Sequence, residues 1–501
     1  MFFWLMTVGI ALLCAFLFNE FYWKRRNLPP GPMPMPLIGN VAALNATKGK
    51  HLHKIMAEFE QKYGAVYTLW LGPTPTIFVN DWQLMKDTIV KQGDFYAARP
   101  YVPINDMIRD GYHGIVSISG EKWKEQRRFA LHVLRDLGIG RTILEDQILD
   151  ETNHLLDSLQ QFAATGQPCD PQLPLQACIG NIVNTLIFGF RFEDDGATVA
   201  HIKKEFDSLQ NKMSTDFRMM LIFFISWTRH LPYIGRALDD MEKTKETFFA
   251  LFKKEIENHK RNLSLDSAPT DYTDAYLQEM KRREAQGDMG HFSEPQLLGV
   301  IMDLWLAGLE TTVITLYWSL LYMIHYPEVQ EKVQEEIDSN IGRNHEIRNG
   351  ERNKLPYTEA VMKELQRCVN LLPFNQMRVT TEEVQIAGYS IPKGAQVVPQ
   401  IRAVLQDPTL YPNPERFDPD RFLESKGATS RRQEAFVPFS VGKRSCLGES
   451  LARMELFMVF ANILRKFTLS KVPFEAMPSL EPKFNADVKA QDYEIKIEER
   501  S

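Results

Sequence analysis

The 501-residue chain is 44% hydrophobic and 24% charged, a globular balance that excludes disorder as its default state. Its formal net charge of −6 gives no electrostatic footprint for a nucleic-acid partner. Its five cysteines, Cys14, Cys169, Cys178, Cys368 and Cys446, show no Cys-x-x-Cys spacing, which argues against a zinc framework or disulfide scaffold and fits a reducing, cytosolic setting for the main body.

Phe2 to Phe18 form an almost unbroken apolar run at the lower length limit for a bilayer-spanning helix. Phe21, Tyr22 and Trp23 follow as an aromatic belt, and Lys24-Arg25-Arg26 as a basic flank that the positive-inside rule keeps cytosolic. The charges come after the apolar run and no small-residue cleavage site is evident, so residues 1–23 read as an uncleaved membrane anchor rather than a signal peptide. Residues 24–40 are basic and then proline-rich (Pro29-Pro30-Gly31-Pro32, Pro34, Pro36), a stiff extended connector. Residues 41–501 form the functional body. Asn45-Ala46-Thr47 and Asn262-Leu263-Ser264 match glycosylation acceptors, which a cytosolic body leaves unused.

Tyr63 to Asn80 reads as a hairpin, with strands Val66–Leu71 and Thr76–Val79 about a Gly72-Pro73 turn. After an Arg99-Pro100 loop, Glu121 to Leu134 is helical and carries Trp123, Arg127 and Arg128. Trp123 and Arg127, at i and i+4, share one face. From Asp150 to about Gln286 the pattern is helical, with polar turns at 165–174 and 262–271. Within it Phe217 to Trp227 is strongly apolar, as a buried helix or a membrane-dipping segment. Leu297 to Tyr326 is the longest helical candidate, about 45 Å at 1.5 Å per residue, and Pro327 ends it. Asp303, Glu310, Thr311 and Thr312 lie mid-segment, where charge in lipid is costly, so a helix crossing the body is preferred to a second span. Gly308 lowers helix propensity there, and the Thr311 hydroxyl can bond the Ala307 carbonyl and bend the helix. Glu364 and Arg367, at i and i+3, share a face of the helix from Thr358 to Leu372. Val384 to Pro392 and Gly394 to Pro399 read as strands joined at Pro392-Lys393-Gly394. A last long helix runs from Leu447 to about Phe467, followed by a polar, β-rich tail.

The chemistry concentrates in Phe436 to Gly448. Cys446 sits in a loop just ahead of a helix N-terminus, where free N–H groups and the dipole favour a thiolate, and Arg444 adds positive charge. A lone cysteine is more often a small buried hydrophobe. Here, however, Phe439, Gly442, Arg444, Cys446 and Gly448 match Phe-x-x-Gly-x-Arg-x-Cys-x-Gly at every fixed position. In this the chain resembles the cytochrome P450 family, and most nearly its microsomal family-two members in animals. Ala307-Gly308-Leu309-Glu310-Thr311-Thr312, Glu-x-x-Arg, Trp-x-x-x-Arg and the Pro-Pro-Gly-Pro connector carry the likeness along the chain.

The resemblance implies a mainly α fold with small β-sheets, in which haem lies between a long I helix and an L helix, behind an N-terminal transmembrane anchor. It implies Cys446 as axial ligand of haem b, with Arg99, Trp123, Arg127, Arg378 and Arg444 around the propionates. Phe439, Gly442, Gly448 and Ala307 would complete the cofactor site. Met377 stands where family-two members usually place a further propionate donor, a histidine. Thr311 with Glu310 would organise water for proton delivery, and Glu364, Arg367 and Arg416 would form a buried structural network. The implied reaction is insertion of one atom of O2 into a lipophilic substrate, a fatty acid or eicosanoid, steroid or xenobiotic. Substrate contacts would come from Tyr101–Ser117, Phe217–Trp227, Asp303–Thr311 and Leu371–Met377. No flavin or nicotinamide motif is present, so NADPH electrons would arrive through a separate NADPH-cytochrome P450 reductase, or cytochrome b5. Lys122, Lys124 and Arg128 would be free for that docking. The implied location is the endoplasmic reticulum membrane, catalytic body cytosolic. A haem-thiolate isomerase or dehydratase acting on hydroperoxides, and a non-enzymatic haem or gas sensor, are the rival readings. The I-helix threonine weighs against the isomerase.

Overall fold

In the computed structural model, residues 2–41, 52–138, 142–193, 196–372, 375–423, 429–483 and 488–500 are described; the Asn45-Ala46-Thr47 motif lies outside them. Helix α1 (Phe2–Phe21) carries the N-terminal apolar run. It is long and apolar enough to cross a membrane, and none of it is covered by the body. The proline-rich connector is no free spacer. Pro30 O accepts from Thr68 N at 2.8 Å and Asn40 N donates to Trp70 O at 2.6 Å, while Asn40 Oδ1 accepts from Trp70 N at 2.8 Å. The connector thus covers the open edge of the first strand, through the Pro30 carbonyl and the main chain and side chain of Asn40.

After α2 (Leu52–Tyr63) come β1 (Val66–Leu71) and β2 (Thr74–Val79). They pair antiparallel from Val66↔Val79 to Leu71↔Thr74, the second strand starting two residues earlier than its sequence pattern indicates. β1 is buried along its whole length. Tyr67 and Leu69 pack with α2, and Val66 belongs to the cluster on the other face.

The helical stretch resolves into α3 (Gly120–Asp136), α4 (Thr142–Thr165), α5 (Gln172–Phe188), α6 (Ala197–Thr215), α7 (Phe217–Phe224), α8 (Pro232–Asn262) and α9 (Tyr272–Gln286). A break at Gly189 to Gly196, which the sequence reading ran through, separates α5 from α6. Helix α5 is apolar nearly all round and buried, the pattern of a helix enclosed on every side.

Helix α10 (Glu294–His325) is the expected long helix and is helical without interruption. Its N-cap Ser293 accepts from Gln296 N, and Pro295 lies in its first turn, where a missing N–H does no harm. It packs lengthwise on α5. A Cβ at Gly308 would lie 2.8 Å from Val183 Cγ2. Close helix–helix approach therefore explains this glycine without any break in the helix. Its largely buried flank identifies α10 as a core helix of the body.

Helices α11 (Pro327–Asn340) and α12 (Pro356–Val369) follow, then β3 (Arg378–Val379), β4 (Val384–Ile386), β5 (Tyr389–Ile391) and β6 (Gln396–Pro399). The expected strand Val384–Pro392 is instead the tight hairpin β4–β5. Ala387 and Gly388 turn it with φ of 51° and 83°, the positive pair of a two-residue hairpin loop. Strand β6 pairs parallel to β2 and antiparallel to β3, giving the order β1-β2-β6-β3. Helix α13 (Glu449–Lys466) and the hairpin β7 (Phe467–Lys471) with β8 (Ile495–Glu499) close the chain. The main core gathers around α5, α10 and α13.

Candidate functional site

A cavity of about 320 Å³ opens between α10 and the loop that precedes α13, with α5 along one side. Its walls include Val183, Leu186, Ile187, Leu304, Ala307 and Leu451, an apolar lining of small-molecule type. Three sets of polar groups interrupt it.

The first is the cysteine loop. Cys446 N donates to Phe439 O at 2.9 Å, which closes the loop and presents Sγ to the cavity. Gly442 has φ +67°, and a Cβ there would lie 2.6 Å from Ile89 O. Conformation and space both demand glycine at this position. Phe439 lines the cavity and is covered by the Arg453 guanidinium, 4.8 Å from its ring centre. Gly448 is the N-cap of α13 and has an ordinary negative φ. Burial pushes the Cys446 thiol above its ordinary range, outweighing the Gly448 N–H and the Arg127 charge that pull it down. The expected pull of the helix terminus toward a thiolate is present in the Gly448 N–H, and a bound metal ion would add to it.

The second set is four arginines. Arg444 Nε and Nη2 donate to Ala97 O at 2.7 Å and Ile118 O at 2.6 Å. Its guanidinium stacks 3.8 Å from the Trp123 ring centre. It therefore faces away from the sulfur, and the nearby charges acting on Cys446 are those of Glu449, which raises the thiol, and Arg127, which lowers it. Arg127 Nη2 donates to Ser445 O at 2.8 Å. Arg99 donates to the carbonyls of Val116, Gln376 and Met377. Arg378, on β3, donates from Nη2 to Val441 O at 2.6 Å and Ser440 Oγ at 3.1 Å, yet its Nε and Nη1 are buried without partners. Among the described residues none of the four meets a carboxylate. Desolvation, followed by repulsion from neighbouring guanidiniums, holds Arg444, Arg378 and Arg99 below the ordinary arginine range. Guanidiniums stay charged in proteins, so this cluster calls for an anion.

The third set lies on α10. Thr311 Oγ1 donates to Ala307 O at 2.6 Å, as expected, and Thr315 Oγ1 donates to Thr311 O at 2.8 Å. Glu310 does not line the cavity. It pairs with Lys203 of α6 at 3.0 Å and with Lys489 at 2.5 Å, so the structure separates it from Thr311. At i and i+1 on a helix the two side chains point about 100° apart. Asp303 Oδ1 accepts from Arg109 Nη2 at 2.6 Å, and its Oδ2 from Ile115 N at 2.8 Å and Val116 N at 2.9 Å. This pins the 103–116 segment over α10 as a roof.

The Glu-x-x-Arg pair is buried as expected: Glu364 and Arg367 both have wholly inaccessible side chains, 2.7 Å apart. The third member is Arg421, not Arg416. Arg421 Nε donates to Glu364 Oε1 at 3.0 Å. Arg416 is exposed and contributes only its carbonyl, which accepts from Arg367 and Arg421. The residue sits in a turn whose backbone faces inward. Asp418-Pro419-Asp420-Arg421 opens a short 3-10 helix, the only local signal for the correct arginine.

Of the expected substrate segments, 101–117, 303–311 and 371–377 reach the cavity through Ile115, Val116, Asp303, Leu371 and Gln376, among others; residues 373 and 374 lie outside the description. Among the described side chains of Phe217 to Trp227 none lines it. Met219, Ile222 and Ile225 point into the body, whereas Phe217 and Trp227 are about 60% exposed. Sequence reasoning missed the α5 wall of Val183, Leu186 and Ile187; the all-round apolarity of that helix is its only mark. Lys122 is not free for docking: it is half-buried and bonds Tyr112 O at 2.6 Å and His113 Nδ1 at 2.9 Å.

The donor set fits haem. One soft sulfur opens on an apolar cavity that Arg99, Arg127 and Arg444 also line, and among the described residues none of these guanidiniums meets a carboxylate. The sequence model of the cytochrome P450 family matches residues 29–497. Similar proteins include cytochrome P450 2C70 of Mus musculus, 38% identical over 450 residues, covering 88% of this chain and 87% of that protein. Cytochrome P450 2J2 of Homo sapiens is 35% identical over 457 residues, covering 91% and 88%. Cytochrome P450 2C3 of Oryctolagus cuniculus is 34% identical over 469 residues, covering 93% of each.

Proposed function

This chain belongs to the cytochrome P450 family and is a haem-dependent monooxygenase, and from that premise we propose how its own residues serve the reaction. Cys446 would hold the iron of haem b through Sγ. Arg99, Arg127, Arg378 and Arg444 would hold the propionates, Trp123 supporting Arg444 by stacking. Haem bound there supplies the activation of O2, with electrons that originate in NADPH, and the thiolate ligation typical of the family favours O–O cleavage.

The remaining work falls to the protein. The apolar walls exclude water and orient a lipophilic substrate. The Asp303–Arg109 clamp fixes the roof. Thr311, its proton committed to Ala307 O, leaves its oxygen lone pairs to accept from water in the cavity. Glu310 acts as a tie between α10, α6 and the 489 segment. Substrates would be fatty acids, eicosanoids, steroids or xenobiotics. One methylene is worth about 1–3 kcal/mol in such a pocket, so small changes in its lining redirect the choice.

The body would lie on the cytosolic face of the endoplasmic reticulum, held by α1. The exposed Phe217, Trp227 and Tyr233 would rest in the lipid interface, where amphipathic rings are favoured. A separate NADPH-cytochrome P450 reductase would dock electrostatically, Arg128 and Lys124 on the exposed side of α3 being candidates. Residues 1–23, 24–40 and 41–501 would divide as anchor, connector and catalytic domain.

One observation carries this reading: a cavity that joins Cys446 to Arg99, Arg127 and Arg444, which meet no carboxylate among the described residues. The test is the Soret band of the reduced, carbon-monoxide-treated protein. It should show the far-shifted position of a thiolate-bound haem, and Cys446→Ser should abolish that position. An unshifted wild-type band, or an unchanged variant, refutes the assignment.

A further inference from the structure

A second cavity, of about 590 Å³, lies where the end of α2 and the start of β1 meet the short helix Ile401–Leu405 that follows β6. It shares no lining residue with the cysteine cavity, and its volume is in the range of small-molecule sites. Hydrogen bonds fix its frame. Asn80 N donates to Ala65 O at 2.9 Å, Gln400 N to Val79 O at 2.8 Å, and Asn80 Nδ2 to Gly64 O at 3.0 Å. Met56, Ala57, Ala403 and Pro408 add apolar surface.

Gln400, on this wall, is only 4% exposed, and its Oε1 is buried without a partner among the described residues. An orphaned acceptor is costly until something donates to it. Three carboxylates stand on the same wall: Glu60, Asp81 and Asp407. Burial, and then the charge of Asp407, raise the Glu60 carboxyl above its ordinary range, and no cation pulls it back. Asp407 Oδ1 accepts from Thr409 N at 2.8 Å and Asp81 Oδ1 from Leu84 N at 2.8 Å, so each has a second oxygen to offer. Neighbouring cations are engaged elsewhere. Burial lowers Arg402, and the charges that act on it are those of Cys368, Tyr322 and Arg367, not these carboxylates. On α2, Lys54 pairs with Glu481 at 3.3 Å and Lys62 lies 5.2 Å from the Tyr63 ring centre. The carboxylates are also too widely spread for one metal ion. Among the described residues, three ligand atoms of His, Cys or acidic side chains gather within 4.8 Å only at His259, Asp271 and Asp274.

We propose that this second cavity is a binding site for a small organic ammonium ion, whose N–H groups donate to the carboxylates of Glu60 and Asp407 and to Gln400 Oε1. A primary ammonium carries three donors and no acceptor, which matches three acceptors that lack a cation. Its charge separates the two carboxylates that repel each other across the empty site. Its bonds to them are charge-assisted, and Asp81 adds negative potential. The carbon chain of the ligand rests on Met56, Ala57, Ala403 and Pro408. The site is thus distinct from the lipophilic cavity beside Cys446 in place and in chemistry.

The test is calorimetric titration of the full-length, haem-loaded protein with n-butylammonium chloride at neutral pH and constant ionic strength. Sodium butyrate and tetramethylammonium chloride are titrated beside it. A free amine can also ligate haem iron, so the reduced protein is kept under carbon monoxide throughout. Butylammonium should bind at one saturable site and butyrate should not bind. Tetramethylammonium has no N–H to give Gln400 and should bind about tenfold more weakly, the scale of one hydrogen bond to a charged group. Glu60→Gln, Asp407→Asn and Gln400→Leu should each weaken butylammonium by about tenfold or more. A second readout separates binding from a structural role. Without ligand, Glu60→Gln should raise the denaturant midpoint, because a like-charge contact is gone. Butylammonium should then raise the midpoint of wild type and leave that of Glu60→Gln unmoved. No saturable heat in wild type, equal affinity in wild type and all three variants, or equal affinity for tetramethylammonium overturns the proposal. Displacement of butylammonium by an equimolar amount of calcium chloride overturns it in favour of a metal site. If Gln400→Leu does not take up haem, Glu60→Gln and Asp407→Asn decide.

Discussion

Truncating the guanidinium of Arg421 should destabilise the protein where truncating that of Arg416 does not. Arg421 has a side chain only 5% exposed. It donates to Glu364 Oε1 at 3.0 Å, Pro412 O at 2.9 Å and Arg416 O at 3.0 Å. Arg421→Met keeps much of the volume and removes every one of these donors. Glu364 retains Arg367 and the Asp418 N–H, the latter at 2.8 Å, so its charge is weakened in support but not abandoned. The Pro412 carbonyl also loses this donor, and that of Arg416 keeps only Arg367, at 3.3 Å. Breaking a buried ion pair costs about 3–5 kcal/mol, and with one arginine left the lower end, about 3 kcal/mol, applies. Arg416→Met removes an exposed side chain and should stay within about 0.5 kcal/mol. Arg421→Lys keeps the charge but offers one compact donor group in place of a fork, and should fall between the two. Denaturant-induced loss of the haem Soret band, compared across the four proteins with equal transition slopes, measures the differences. Equal losses for Arg421→Met and Arg416→Met, or a greater loss for Arg416→Met, would refute the placement of the third arginine.

Gly442→Ala combines a φ of +67° with a Cβ 2.6 Å from a backbone oxygen, so it should cost more than about 1 kcal/mol; haem uptake should fall, and normal uptake would show that the loop can relax. Arg378→Met should leave the haem-free protein as stable or more so, because an unpaired buried charge is gone, yet weaken haem binding; calorimetry of both forms reads the opposite signs. Asp303→Ala strands Arg109 and two backbone N–H groups at 115 and 116, so substrate affinity should drop about tenfold or more, with the Soret position unchanged.

By itself the sequence determined the elements whose evidence is local. The apolar run of α1, the 32-residue α10, the β1–β2 hairpin and the Cys446 loop each announce themselves through periodicity, turn residues or fixed spacing, because backbone sterics and side-chain period act within a few residues. The Thr311 bond to Ala307 and the Glu364–Arg367 pair belong here too, as relations along one helix. Tertiary structure decided everything that depends on which face meets which neighbour. It chose Arg421 over Arg416 because the turn at 413–421 points one side chain inward and the other out. It turned Glu310 toward Lys203 and Lys489, two residues far away in sequence. It directed Arg444 onto Trp123 and gave the α5 wall to the cavity. Burial is a property of the packed body, so the depressed arginines arise only once the surrounding elements have closed around them and removed the water.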